Sequence, residues 1–191
     1  MTINPLVQFS TERSAAFANK DPMAALCTVA TTENNNLPNL RTLVLRDLDD
    51  QLAIFVNATS PKWPHLNKAF AVLTYWPSMQ IQYRMTCTGI PIDDKVVHDS
   101  WQLRPPPPKT MDWFYNQHAP QSSAIGSREE LLNTVDNVDL PDPLTAPSQA
   151  KGLQLNISQV ERLDLTQTNG IHDRTLYKKE AAGWSWTTLV P

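Results

Sequence analysis

The segment from Met23 to Gly89 constrains the fold most strongly, because short apolar runs alternate there with turn residues. "MAALCTVATT" and "LRTLVLRD" flank a polar turn at Glu33–Asn36, and "LAIFVN" follows the pair Asp49-Asp50. Further on, "AVLTYW" and "QIQYRMTCTG" are separated by Pro77-Ser78. Such runs predict at least five antiparallel strands joined as hairpins. We therefore expect a mainly β protein built on an antiparallel barrel, in which closure removes exposed edges.

Helix-start signals, namely an N-cap side chain or a proline in the first turn, surround these strands. They predict helices from Asn4-Pro5 to about Lys20, from Ser60-Pro61 through Phe70, from Asp93 to about Leu103 and from Ser127 to about Asp136. The segment from Thr110 to His118 is also expected to be helical. Pro105 to Pro108 is expected to be extended and solvent-facing, and Leu140 to Ala150 a surface loop. We expect one domain over residues 1–191, with a helical insertion at about 93–137 and C-terminal strands at about 153–191.

Composition excludes several functional classes. A formal charge of -3 without blocks of Lys or Arg disfavours nucleic-acid binding. The 5 glycines form no nucleotide-binding loop, so any phosphate must be held by side chains. The 4 histidines are dispersed, which argues against a protein-bound metal.

Features that report on location point to the cytoplasm. No segment approaches the roughly 18 continuous apolar residues of a membrane span, and no basic leader precedes an apolar run. Cys27 and Cys87 lie in separate apolar segments without metal-binding spacing, which predicts buried reduced thiols and a reducing compartment. We expect a soluble, cytoplasmic protein with no membrane partner.

Arg41 and Arg46 are two cations on one strand that is otherwise expected to be buried. Because side chains alternate along a strand, they are expected on opposite faces, roughly 16 Å apart. No single phosphate would bridge them. Either both reach water along their aliphatic stems, or each binds a separate ligand.

Other polar residues supply possible partners for such ligands. Ser60 and Lys62 are expected at a helix N-terminus, where backbone N–H groups and the ammonium could hold a phosphate. Gln82 carries an amide suited to the edge of a heterocycle, although a solvated strand face explains it equally well. His172 and Arg174 follow a turn, where a surface salt bridge is the default interpretation.

Taken in order, these segments resemble the pyridoxamine 5'-phosphate oxidase superfamily, in particular its oxidase-related FMN-binding branch. The resemblance extends from Met23 to Pro191 and includes "QSS", "VERLDL" and "HDRTLY". It implies a Greek-key FMN-binding split β-barrel and a homodimer with FMN at the subunit interface. It also implies an oxidoreductase that transfers a hydride to or from FMN and acts on a small molecule.

The same resemblance implies roles for individual residues. Arg41 and Lys62 would hold the FMN phosphate, and Gln82 would face the flavin ring. The full set of implied FMN contacts is Arg41, Thr42, Leu43, Val44, Phe55, Val56, Ser60, Lys62, Gln82, Gln121, Ser122 and Arg174. The implied substrate contacts are Arg46, Arg104 and His172. His172 is also the candidate for proton exchange, with a structural histidine as the alternative.

Departures from the oxidase pattern leave the substrate open. Gly170 occupies the position of an arginine that contacts the pyridine ring of the substrate. Pro61 precedes Lys62 where the oxidases have two consecutive basic residues. Leu163 or Asp164 stands near the position of their flavin-contacting tryptophan. A flavin-binding or small-ligand-binding barrel without turnover is therefore the alternative function.

Overall fold

The computed structural model describes residues 4–32 and 36–191, so the expected turn at Glu33–Asn36 lies largely outside the described residues. The helices are α1 (Pro5–Ala18), α2 (Asp94–Gln102), α3 (Pro106–Gln117) and α4 (Arg128–Asp136). The strands are β1 (Leu26–Thr32), β2 (Pro38–Val44), β3 (Arg46–Leu48), β4 (Gln51–Asn57), β5 (Phe70–Trp76), β6 (Ile81–Pro91), β7 (Ala150–Asp164), β8 (Asp173–Glu180) and β9 (Gly183–Thr188). The pairs β1–β2, β1–β5, β4–β7, β5–β6, β7–β8 and β8–β9 are all antiparallel, which confirms the predicted mainly β class.

Contacts divide the chain into two compact units, the first comprising residues 1–52, 65–89 and 155–191. In this unit β1 pairs with β2 and β5, β5 with β6, and β8 with both β7 and β9. Val29 on β1 lies opposite Val72 on β5, which lies opposite Met85 on β6, and all three are buried. Phe9 of α1 closes this apolar face, with its ring centroid 5.0 Å from that of Tyr83.

The second unit comprises residues 53–64 and 90–154. Here β4 pairs with the start of β7, from Ala53 opposite Gln154 to Asn57 opposite Ala150. Its core contains Val97, Trp101 and Ala150, with Phe55, Ile92, Trp113, Leu144 and Ala146 packed against them. Strands β4 and β7 each continue from one unit into the other. The expectation of a single domain stays a prediction.

Most predicted helices form where their caps indicated. Asn4 Oδ1 accepts the N–H of Leu6 at 3.0 Å, and α1 ends two residues before the expected limit. Asp93 caps α2, and Ser127 Oγ accepts the N–H of Glu130 at the start of α4. Among the described residues no helix is long and apolar enough to cross a membrane.

The predicted helix from Ser60-Pro61 through Phe70 is wrong. Only Trp63–His65 forms a 3-10 turn, and Phe70 already begins β5. Pro64 has no N–H to donate to the Ser60 carbonyl, which instead accepts the N–H of Trp63 at 2.9 Å. This tighter bond closes a single turn and the helix does not continue.

The expected extended run at Pro105–Pro108 is also wrong, because Pro106 begins α3. Only Pro105, the N-cap, is extended, with φ -65° and ψ 162°. The first-turn N–H groups of a helix have no intrahelical acceptor, so consecutive prolines cost no hydrogen bond there.

The expected buried strand carrying Arg41 and Arg46 is two strands separated by Leu45. The N–H of Leu45 donates to the Ala25 carbonyl at 2.9 Å, and its own carbonyl accepts from Arg13 Nη2 at 2.7 Å. Leu45 is thereby held toward the core while most of β2 is exposed. The strict alternation predicted from Arg41 to Arg46 does not apply.

Candidate functional site

Ser60 and Lys62 form a buried polar pair in the turn after β4. Their relative exposures are 5% and 6%, and Lys62 Nζ donates to Ser60 Oγ at 2.7 Å. Because the expected helix is a single 3-10 turn, a helix dipole does not contribute here. An ammonium and a hydroxyl can both donate to a phosphate, so the chemistry of the pair suits a dianion.

Asn57 and Thr59 fix this turn and bring Gln121 beside it. Asn57 Oδ1 accepts both the N–H of Thr59 at 3.0 Å and its hydroxyl at 2.7 Å. Thr59 Oγ1 in turn accepts the N–H of Gln121 at 3.1 Å. The structure therefore brings the segment of Gln121 and Ser122 next to the turn that holds Ser60 and Lys62.

A buried carboxylate, Asp112 of α3, supports the same turn. Asp112 Oδ1 accepts Asn57 Nδ2 at 3.1 Å, and Oδ2 accepts Trp101 Nε1 at 2.9 Å. Arg104, a predicted substrate residue, forms an ion pair with the same carboxylate. Arg104 thus has a structural partner, and its role toward a substrate stays a prediction. Sequence reasoning did not identify Asp112, although an asparagine that closes an apolar strand was a signal for a polar network.

Phe55 and Val56 lie on β4, and both are tied to the packing of the second unit. Phe55 pairs with Gly152 of β7, where an added Cβ would lie 3.0 Å from Phe55 Cε1. Val56 is buried. Their predicted contact with a flavin stays a prediction.

Glu161 of β7 connects Arg174 to the strand that carries Gln82. Arg174 Nε donates to Glu161 Oε1 at 3.0 Å, and Arg84 of β6 forms an ion pair with the same carboxylate. Gln82 and Arg84 are two residues apart on β6 and therefore share one face. Arg174 is therefore joined through Glu161 and Arg84 to the same face of β6 on which Gln82 lies.

Strand register places Arg41 on the other face of this sheet. Arg41 lies opposite Val29 and belongs to the row that continues through Val72 and Met85. Its Nη1 donates to Thr31 Oγ1 at 2.7 Å. Side chains that pair directly point to the same side, so Gln82, three residues from Met85, points to the opposite side.

The other predicted residues of β2 also divide between the two faces of the sheet. Leu43 shares the face of Arg41, whereas Thr42 and Val44 share the face of Gln82. Arg46 begins β3 and His172 immediately precedes β8; both are exposed. One copy of the first unit therefore does not gather Arg41 and Gln82 on one face.

Among the described residues no group of three or more His, Cys, Asp or Glu side chains is arranged to hold a metal ion.

Comparison with known proteins gives consistent results in sequence and in structure, although no family model matches the chain. A pyridoxine/pyridoxamine 5'-phosphate oxidase from Nostoc punctiforme is 26% identical over 99% of this chain and 89% of its own length. One from Pseudomonas fluorescens is 28% identical, covering 86% of this chain and 77% of its own length. The resemblance to the pyridoxamine 5'-phosphate oxidase-related family is confirmed.

Two solved structures show that the fold is the split barrel of this family. PhzG from Burkholderia lata 383, in complex with tetrahydrophenazine-1-carboxylic acid, has a TM-score of 0.82 at 19% identity and covers 98% of this chain and 93% of its own. A pyridoxamine 5'-phosphate oxidase-related, FMN-binding protein from Nostoc punctiforme has a TM-score of 0.77 at 21% identity and covers 100% of both chains. The predicted fold is thereby confirmed.

The donor chemistry of this chain fits the FMN that the oxidase-related family implies. The buried ammonium of Lys62 and hydroxyl of Ser60 suit a phosphate group. The amide of Gln82 can both donate to and accept from a heterocycle, and Arg174 offers further guanidinium N–H groups.

Proposed function

We propose that this protein binds FMN and uses it as an oxidoreductase on a small organic substrate. The observation that carries the proposal is the buried Ser60–Lys62 pair, held beside Gln121 by Asn57 and Thr59. The Lys62 ammonium and the Ser60 hydroxyl lie together, and both groups can donate to the oxygens of one phosphate, so this pair suits a bound anion. The match to oxidases across nearly the whole chain supports the same conclusion.

Each residue then has a defined task. Lys62 and Ser60 bind the phosphate of FMN together with Arg41, and Gln82 and Arg174 orient the flavin. When bound, FMN supplies the two-electron chemistry, accepting or donating a hydride. His172 is the candidate for proton exchange with the substrate, since an imidazole can both accept and donate a proton through its ring nitrogens.

The substrate region suits an oxidase-like ligand with one contact changed. Arg46 would bind a substrate phosphate. Gly170 replaces an expected arginine, and a Cβ there would meet nothing within 4 Å. Glycine supplies no side chain for this contact, so we propose a phosphorylated amine or alcohol that is bound without it.

A homodimer is part of the proposal. Arg41 and Gln82 point to opposite faces in one chain, so a second copy would be needed to bring both types of contact to one flavin. The exposed apolar side chains of Leu40 and Val44 on β2 support an interface at that strand.

A cytoplasmic location is also part of the proposal. The free thiols of Cys27 and Cys87 support a reducing, cytoplasmic location.

A second candidate function is flavin binding without turnover. It is favoured by Gly170 and by the ion pair that ties Arg104, a predicted substrate residue, to Asp112. Anaerobic addition of a reductant followed by air separates the two. Bleaching and recovery of the flavin absorbance with a candidate amine or alcohol supports an oxidase, whereas an unchanged spectrum with every candidate supports binding alone.

FMN titration of the flavin-free protein tests the binding proposal directly. Lys62→Met keeps an unbranched apolar stem but removes the terminal ammonium, and we expect the FMN dissociation constant to rise about 10- to 150-fold. This corresponds to the loss of one charge-assisted contact, worth about 1.5–3 kcal/mol. Flavin fluorescence quenching measures the constant.

Lys68→Met is the matched control, because Lys68 lies exposed on the same connection between β4 and β5. It should leave the constant unchanged. Equal constants for Lys62→Met and the wild-type protein would contradict the phosphate assignment, and a wild-type protein that binds no FMN would reject the proposed function.

A further inference from the structure

A buried glutamate joins three neighbouring strands beside the proposed flavin-orienting residues. Glu161 of β7 accepts Arg174 Nε of β8 at 3.0 Å and forms an ion pair with Arg84 of β6. The side chain of Glu161 is 8% exposed, against 29% for Arg174 and 54% for Arg84. The acidic group is thus covered while both guanidinium groups reach the surface.

The register explains how the Glu161–Arg174 contact forms. Arg174 lies directly opposite Leu163, and Glu161 is two residues from Leu163 on the same face of β7. Arg174 therefore leans diagonally along β7 to reach Glu161, within the reach of a long side chain. Its backbone is fixed as well, because its carbonyl accepts the N–H of Leu189 at 2.8 Å.

The bond to Nε restrains the orientation of the Arg174 guanidinium, together with a longer bond of 3.5 Å from Nη1 to the Val190 carbonyl. A carboxylate at Nε restrains the plane of the group and leaves Nη donors for another acceptor. An arginine held in one orientation loses less side-chain entropy when a ligand binds.

We infer that Glu161 is a positioning residue that holds Arg174 in the orientation required to bind FMN. This inference rests on the proposed function. Glu161 itself does not contact the flavin in this proposal and acts on it only by holding Arg174. Arg84 is the second cation of the cluster. It pairs with the buried carboxylate from the β6 side, so that Glu161 lies between two guanidinium groups.

Positioning and simple electrostatics predict opposite results for Glu161→Gln. The substitution removes a negative charge next to two arginines, so electrostatics alone would make an anionic ligand bind more tightly. Positioning predicts weaker binding, because the neutral amide holds Arg174 less firmly and can present its NH₂ group toward the guanidinium.

The experiment is a double-mutant cycle read by FMN dissociation constants. We expect Glu161→Gln to raise the constant about tenfold in the wild-type background and by less than about twofold in the Arg174→Ala background. Glu180→Gln is the control, because Glu180 is an exposed glutamate on β8. It should have no effect in either background.

A second variant tests geometry with the charge retained. Glu161→Asp withdraws the carboxylate by one methylene group and is expected to raise the FMN dissociation constant as well. Thermal unfolding will show whether each variant is folded. If Glu161→Gln is not folded, Glu161→Asp replaces it in the titration.

Two results would overturn the positioning role of Glu161. One is unchanged or tighter FMN binding in the Glu161 variants, and the other is a tenfold loss that persists in the Arg174→Ala background. Failure of the proposed function is distinguishable, since the wild-type protein and the Glu180→Gln control would then bind no FMN in the same titration; that result overturns both.

Discussion

At the scale of single residues, Arg13 joins α1 to the segments at both ends of the β1–β2 hairpin. This buried arginine of α1 donates from Nε to the Ala24 carbonyl at 2.8 Å and from Nη2 to the Leu45 carbonyl at 2.7 Å. Its Nη1 reaches both oxygens of Asp47 at 2.8 Å. One guanidinium thus fixes the start of β1 and the break between β2 and β3.

Arg13→Met should lower the free energy of unfolding by about 2–4 kcal/mol, because two carbonyls lose their charged donor. Asp47→Asn should cost under about 1 kcal/mol, since the Asp47 side chain is 68% exposed. Urea denaturation of both variants measures the two values. Equal losses would mean that the ion pair, and not the carbonyl contacts, is the source of stability.

The sequence was sufficient to predict candidate ligand-binding residues, but not the buried carboxylates that hold them in place. Lys62 and Gln121 were predicted from the order of motifs, and the structure places their segments together. Asp112 and Glu161 were missed, because a carboxylate that meets its partner 55 or 77 positions away leaves no local pattern. Contacts of this kind depend on strand register and helix packing, which only the folded chain fixes.

At the scale of elements, Asp112 attaches α3 to the end of β4 and to α2. Its carboxylate accepts hydrogen bonds from the side chains of Asn57 on β4 and Trp101 on α2. It also forms an ion pair with Arg104, which lies between α2 and α3. When the charge of this buried carboxylate is removed, the three donors that it accepts lose part of their hydrogen bonding inside the protein. The turn of Ser60 and Lys62 depends on it through Asn57.

We expect Asp112→Asn to lower the free energy of unfolding by about 2–4 kcal/mol and also to weaken FMN binding, because the phosphate-binding turn loses its support. Asp99→Asn is the control, since Asp99 lies exposed on α2 and its pKa is lowered mainly by a hydrogen bond from Lys95. Chemical denaturation and FMN titration measure the two effects. A destabilised Asp112→Asn variant with unchanged FMN affinity would show that the turn holds its shape without α3.

Proline governed which element boundaries could be predicted. The sequence placed a helix after Ser60 and an extended run at Pro105–Pro108, and both were wrong. A proline at the first position of a helix costs no hydrogen bond, so Pro106 can begin α3. A proline at the fourth position, such as Pro64, lacks the N–H group that would donate to the N-cap carbonyl. The caps at Asn4, Asp93 and Ser127 each satisfy a local N–H group, so those starts could be predicted.

At the scale of the whole molecule, the order of segments predicted the split-barrel fold better than any single motif did. Hairpin signals between Met23 and Gly89 indicated the strands, and the structural matches cover nearly the whole chain. The two compact units were not predicted, because β4 and β7 each run through both and no linker marks a boundary.

The buried thiols give the whole molecule a defined response to alkaline pH. Burial raises the pKa of Cys27 to about 12, and burial together with nearby Cys27 raises that of Cys87 to about 12. In the unfolded chain both thiols ionise near their ordinary pKa of about 9. Between these values the folded chain keeps protons that the unfolded chain has lost, so the free energy of unfolding must fall as pH rises.

Each thiol should contribute a loss of about 1.4 kcal/mol per pH unit between roughly pH 9 and 12, a contribution that is fully retained below that range. The variant carrying both Cys27→Ala and Cys87→Ala should therefore show a shallower alkaline decline, although its stability at pH 7 is lower because two buried sulfur atoms are lost. Urea denaturation at pH 7, 9 and 10 compares the slopes. Tyrosines and lysines titrate alike in both proteins, so their effects cancel in the difference. Identical slopes for the two proteins would show that the thiols ionise as readily in the folded chain as in the unfolded one.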